Sequence, residues 1–137
     1  MADLLREKSF ECRVSSVLNK EVRSYGKKCL YDDCDETCWN SDSGSPQWIL
    51  IDFKEECKLS ALEIQFQGGF AGKDCRVEAG KDSKNLTGVR CFYPEDTNKL
   101  QHFALDNAVQ AKTFRLVFEE STDLFGRIII YRLTLLS

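Results

Sequence analysis

Histidine occurs once in the 137 residues, methionine once, and proline twice. A single histidine, His102, provisions acid–base or metal chemistry poorly, and it sits inside a strand-like stretch, Leu100-Gln101-His102-Phe103. No phosphate-binding glycine loop, nucleophile elbow or His-Glu-x-x-His pattern occurs, so the common hydrolase and nucleotide-binding classes have no motif to stand on. Long hydrophobic runs are lacking too. The longest apolar stretch is the short Ile128-Ile129-Ile130-Tyr131 run, far below a membrane-spanning length, and no membrane role is expected. There is no surplus of positive charge: 19 basic against 22 acidic side chains leave a net charge of −3, which argues against a dedicated nucleic-acid binder. Linker-like Gly/Ser/Pro tracts, low-complexity segments and internal repeats are absent, and the length suits a single domain over 1–137, with 1–10 as a possible flexible lead.

Cysteine is comparatively plentiful. The seven residues stand at 12, 29, 34, 38, 57, 75 and 91, an odd number with no repeated framework. The first eight residues mix both charge signs and carry no apolar core segment, so the expected setting is reducing, in nucleus and cytoplasm, with the cysteines as small buried hydrophobes or idle thiols. A zinc site from Cys29, Cys34, Cys38 and Cys57 would need two tight pairs, and the spacing offers none.

The recurring pattern is period-two alternation. Ile49, Ile51 and Phe53 share one face; Leu62, Ile64 and Phe66 do the same, as do Phe114, Leu116 and Phe118, and then Ile129, Tyr131, Leu133 and Leu135. With weaker segments at 13–18, 75–79, 89–92 and 100–105, this predicts about eight short antiparallel strands in an all-β sandwich. Only residues 106–112 have the composition for a turn or two of helix.

Three stretches stand out chemically. Residues 32–36 hold four carboxylates, followed by Thr37 and Trp39. Such crowding implies either a solvated acidic loop or a shared cation, and calcium, with its preference for six to eight oxygens, is the cation that Asp32, Asp35 and Thr37 could serve. The segments around Phe70, around Tyr93 and Glu95, and from Asp123 through Phe125 to Arg127 each combine an aromatic ring, a turn former and charge. Rigid aromatics and arginine anchor protein interfaces, so these loops, with Ser41 and Asp42 beside them, form a candidate recognition edge provided that they converge.

Leu30-Tyr31-Asp32-Asp33, Thr37-Cys38-Trp39-Asn40-Ser41-Asp42 and Gln47-Trp48-Ile49-Leu50-Ile51-Asp52-Phe53 together resemble the discoidin domain signature over nearly the whole chain. That resemblance implies a discoidin-like jelly-roll β-sandwich, of the kind found in coagulation factor C domains, carbohydrate-binding modules and the Doc subunit. The runs Arg13-Val14-Ser15-Ser16, Gln65-Phe66-Gln67-Gly68-Gly69-Phe70, Phe92-Tyr93-Pro94-Glu95-Asp96 and Phe125-Gly126-Arg127 resemble a small intracellular branch associated with an orphan nuclear receptor. It implies a monomeric, non-enzymatic corepressor that binds the receptor, requires no cofactor, and represses receptor-driven transcription. A calcium-assisted carbohydrate-binding module is the alternative. Two departures bear on these expectations. No cysteine closes the C-terminal run, and the last strand reads Tyr131-Arg132-Leu133-Thr134, without the glutamate of calcium-holding members.

Overall fold

The three strongest alternating segments lie within strands with their apolar residues buried; at 129–135 the face changes at a register shift, so that Ile130, Leu133 and Leu135 are in the core and Tyr131 is half-buried. Ile49, Ile51, Phe53, Leu62, Ile64, Phe66, Phe114, Leu116 and Phe118 are all 1% exposed or less. The computed structural model describes residues 2–137. Its strands are β1 (Phe10–Val14), β2 (Trp39–Asn40), β3 (Gln47–Phe66), β4 (Gly72–Gly80), β5 (Leu86–Phe92), β6 (Leu100–Ser121) and β7 (Ile129–Leu136), all paired antiparallel. Two single-turn helices, α1 (Leu4–Glu7) and α2 (Val22–Tyr25), complete the elements with short 3₁₀ turns at Leu18–Lys20 and Lys27–Leu30.

Two very long strands make the sandwich. The first part of β3 pairs with β1 and with the last part of β6, which also pairs with β4; its second part pairs with β7 and the first part of β6. Register shifts in β3 between Asp52 and Cys57, and again between Leu59 and Ala61, let the strand turn from one layer into the other. The layers face each other through Phe66 against Phe118, ring centroids 5.9 Å apart, and Phe92 of β5 against Phe103 of β6 at 4.9 Å. This is the jelly-roll sandwich that the alternation and the discoidin resemblance imply.

Three expectations need correction. The two segments of β3 read as separate strands are one, as are 100–105 and 114–118 in β6, while β2 was not expected, so seven strands occur among the described residues. Residues 106–112 are strand rather than helix, because Val109, Gln110 and Ala111 pair with Leu59, Lys58 and Cys57 at the corner; cross-strand bonding overrides a weak local preference. The segment expected at 13–18 is β1 at Phe10–Val14, after which the chain leaves the sheet. The N-terminal residues dock onto the sandwich: Leu4 and Leu5 are buried, Asp3 caps α1 through the Leu5 amide, and Asp3 bridges Leu136 of β7.

The seven cysteines are free thiols, with Cys12, Cys29, Cys57 and Cys75 buried. Burial pushes the Cys12 thiol up to about 12 and the Cys75 thiol higher still, as expected of packing residues. No described helix is long and apolar enough to cross a membrane.

Candidate functional site

At one end of the sandwich the chain turns between layers, and the loops there interlock. Gly68 and Gly69 donate their amides to the side chains of Asn98 (2.6 Å) and Asp96 (2.7 Å), which joins the Phe70 loop to the loop carrying Tyr93 and Glu95. Gly69 has φ +90°, a conformation only glycine adopts freely. Phe70 accepts from the Ile129 amide through its carbonyl, and Ala71 and Thr122 exchange two hydrogen bonds, so the same loop is tied to the 121–127 turn. That turn in turn receives the Gly44 amide on the Phe125 carbonyl at 2.8 Å. The three aromatic loops therefore converge, with the 41–46 loop beside them.

Arg127 is the keystone. Its guanidinium lies over the Phe70 ring, 5.1 Å from the centroid, and Nη2 donates to Asn40 Oδ1 at 3.0 Å. Its backbone amide donates to Asp123 Oδ2, and its carbonyl accepts from Ser121 Oγ, so both ends of the turn are held. The Nε is shut away from solvent without an acceptor. Stacking and the Asn40 bond offset that loss.

The sequence-derived residues thus divide. Tyr93 and Phe125 stand out from the edge, 70% and 69% exposed, and Glu95 is exposed beside Tyr93. Phe70, Asp123 and Arg127 are half-buried and brace the loops. Ser41 corrects the expectation outright: it is fully buried, donating to the Asp42 carbonyl and accepting from the Ile128 amide at 2.8 Å. It offers no surface to a partner. Asp42 is half-buried, its amide held by Ser16 Oγ and its carbonyl by Gln47 Nε2.

Sequence reasoning passed over two parts of this edge. Leu124 is 91% exposed and stands next to Phe125, forming with it an apolar tip beside an open groove of about 560 Å³ that Glu120 and Asp123 also line. Its only sequence signal is an apolar residue between a charge and an aromatic in a turn. Gln47, 4% exposed, bonds Ser16, Asp42 and Gly44, and pins the 41–46 loop from below; a strand-initial glutamine carries no visible mark of that duty.

In the acidic loop, Thr37 Oγ1 donates to Asp32 Oδ2 at 2.6 Å and the Cys34 amide to Asp32 Oδ1 at 3.1 Å. The Asp32 carboxylate is thus engaged in shaping its own turn. Asp33 meets the cations of Arg6 and Arg132 instead, and Asp35 is exposed. Among the described residues no group of three His, Cys, Asp or Glu side chains is placed to hold a metal ion. His102 Nδ1 lies 3.1 Å from Glu63 Oε2 on an exposed stretch of sheet.

The F5/8 type C domain pattern matches residues 13–130. The chain belongs to that family. It is 48% identical over 136 residues to the nuclear receptor 2C2-associated protein of Danio rerio, covering 99% of this chain and 96% of that one. To the human protein of the same name it is 45% identical over 124 residues, covering 90% and 88%. Among solved structures, a Clostridium perfringens carbohydrate-binding module in complex with GalNAc-β-1,3-galactose superposes with a TM-score of 0.79 at 14% identity, over 93% of this F5/8 type C chain and 95% of the module. A chitosan-binding module from Paenibacillus sp. IK-5 gives 0.80 at 18% identity over the whole of both chains. These two share the fold.

Proposed function

We propose that this F5/8 type C domain is a non-enzymatic adaptor that binds a protein partner through its loop edge, and that the partner is an orphan nuclear receptor whose transcriptional activity it represses. The observation that carries the reading is the exposed set Tyr93, Leu124 and Phe125, standing on loops that the Arg127–Phe70 stack holds rigid. Large apolar side chains on a preorganised turn gain by burial against a partner and lose little conformational freedom when they do so. Further support comes from relatives at 44–48% identity that are named for association with nuclear receptor 2C2. The reading needs no cofactor and no second copy of the chain, and it places the protein in nucleus and cytoplasm.

The test is titration of purified nuclear receptor 2C2 with the wild-type domain and with a Tyr93→Ser/Leu124→Ser/Phe125→Ser variant, alongside a receptor-driven reporter. Wild-type binding with a loss of affinity of about a hundredfold or more in the variant supports the edge, two anchors at about 1.4 kcal/mol or more each being worth that much. Equal binding by both proteins overturns the edge assignment. No binding by the wild type overturns the receptor as partner.

A further inference from the structure

Below the 41–46 loop, to which Ser16 ties it, the segment between β1 and the acidic loop sets two cations at the border of an apolar groove. The groove, about 310 Å³, is lined by Val14, Val17, Val22 and Trp48, with Arg13 and Lys27 at its border. Val22, on α2, is 61% exposed and Trp48 is only half-buried. The cations are concentrated here. Residues 13–28 contain Arg13, Lys20, Arg23, Lys27 and Lys28 against the single carboxylate of Glu21, a local charge of +4 in a chain whose total is −3.

These cations are also uncommitted. Arg76, Arg90, Arg115 and Arg132 each meet a carboxylate within 4.0 Å, as do Lys54 and Lys112. None of the five at 13–28 does so among the described residues; Lys58, Lys73 and Lys81 also meet none, and what sets this segment apart is the concentration of five cations around one carboxylate. Unpaired cations around an apolar floor complement one kind of ligand chemistry: carboxylates flanking an apolar or aromatic side chain.

We propose that this groove docks a short acidic peptide segment carrying apolar side chains, which fill the space between Val22 and Trp48 while flanking Asp or Glu residues meet Arg13 and Lys27. The segment belongs to a partner protein and is independent of whatever the loop edge binds. Charge reach favours a short peptide over a nucleic acid. At physiological ionic strength the field of residues 13–28 extends only about 8 Å, and a longer polyanion would run on into the acidic remainder of the chain. A groove of this size with one exposed valine at its border suits an inserted side chain better than a lipid surface, which calls for a broad apolar face.

The experiment uses the full chain and a synthetic peptide in which Leu and Phe are flanked by Asp and Glu. The Trp48 indole resonance and the backbone amide resonances of residues 13–27 are followed. Saturable binding is expected to move both signals and to weaken as salt rises. Arg13→Glu/Lys27→Glu, and separately Val22→Asp, should each weaken it about tenfold or more while leaving thermal stability near wild type, since these side chains are at or near the surface. Replacing the peptide carboxylates by amides should do the same, and the loop-edge variant should bind as tightly as wild type. Failure of the wild type to bind the peptide, or equal binding by the charge-reversed and Val22 variants, overturns the proposal. Oligothymidine or phosphatidylserine vesicles that shift the same resonances and exclude the peptide would overturn it in favour of a polyanion or a membrane.

Discussion

The guanidinium of Arg127 stacks on the ring of Phe70, 5.1 Å from its centroid, and this contact adds a side-chain lock to the backbone bonds that join the turn before β7 to the turn after β3. The two residues lie 57 positions apart in sequence, so no local preference brings them together. Because Asn40 of β2 accepts from the same guanidinium, three separate segments share one side chain.

Arg127→Ala should therefore destabilise the domain by about 1–2 kcal/mol, through loss of the stacked cation and of a hydrogen bond to a buried amide side chain. Arg127→Lys should recover only part of this, because an ammonium cannot lie flat on the ring and reach Asn40 together. Urea denaturation of the three proteins measures both. Wild-type stability in Arg127→Ala would show that the contact carries no weight.

Gly126 has φ +86°, and a side chain there would come within 2.8 Å of the Gly44 backbone. Gly126→Ala is expected to cost about 1–3 kcal/mol and to loosen the turn bearing Leu124 and Phe125. Hydrogen exchange at the Gly44 amide, which donates to the Phe125 carbonyl, reads the loosening directly.

Glu78 of β4 receives Arg115 Nε at 2.6 Å and Arg76 Nε at 3.0 Å, and Arg76 reaches on to Glu119. Burial opposes ionisation of Glu78, but the two guanidinium groups outweigh it and hold the carboxyl below its ordinary 4.5. A carboxyl lowered on folding contributes stability that is complete above its unfolded value and disappears as pH falls through its folded one. The wild type should thus exceed Glu78→Gln in stability by about 2 kcal/mol near pH 7, and the gap should close progressively below pH 4.5. Chemical denaturation across that window checks the sign; a gap that widens on acidification would contradict it.

Thiol chemistry should follow burial. Cys34 and Cys91 are exposed, whereas Cys12 and Cys75 are enclosed and burial raises their thiols, Cys12 to about 12. Brief alkylation of the native protein near pH 8, followed by peptide mass spectrometry, should label Cys34 and Cys91 first and leave Cys12 and Cys75 until unfolding.

The sandwich was legible in the chain because a strand with one buried face must alternate. The runs at 49–53, 62–66 and 114–118 declare themselves without reference to anything distant. The same logic hid the long strands: at 54–56 the alternation lapses into Lys54, Glu55 and Glu56, all exposed, as β3 turns its corner, and a lapse in period reads as a break. The loops that converge at the edge were equally visible as aromatics set among turn formers. What each aromatic does was not. Phe70 and Phe125 look alike in sequence, yet one is a platform beneath an arginine and the other projects into solvent. Ser41, expected at the surface, is buried, and Leu124, given no part by the sequence, is the most exposed apolar residue of the edge.

By itself, then, the sequence determined the all-β sandwich and the family's loop-bearing edge, since period and turn chemistry are local properties of the chain. Tertiary structure alone decided which loop residues are exposed, that Arg127 is shared between Phe70 and Asn40, and that the cations of residues 13–28 are left without carboxylates. Each of those depends on contacts between segments brought together only when β3 and β6 cross from one layer to the other, and on the space that closure leaves.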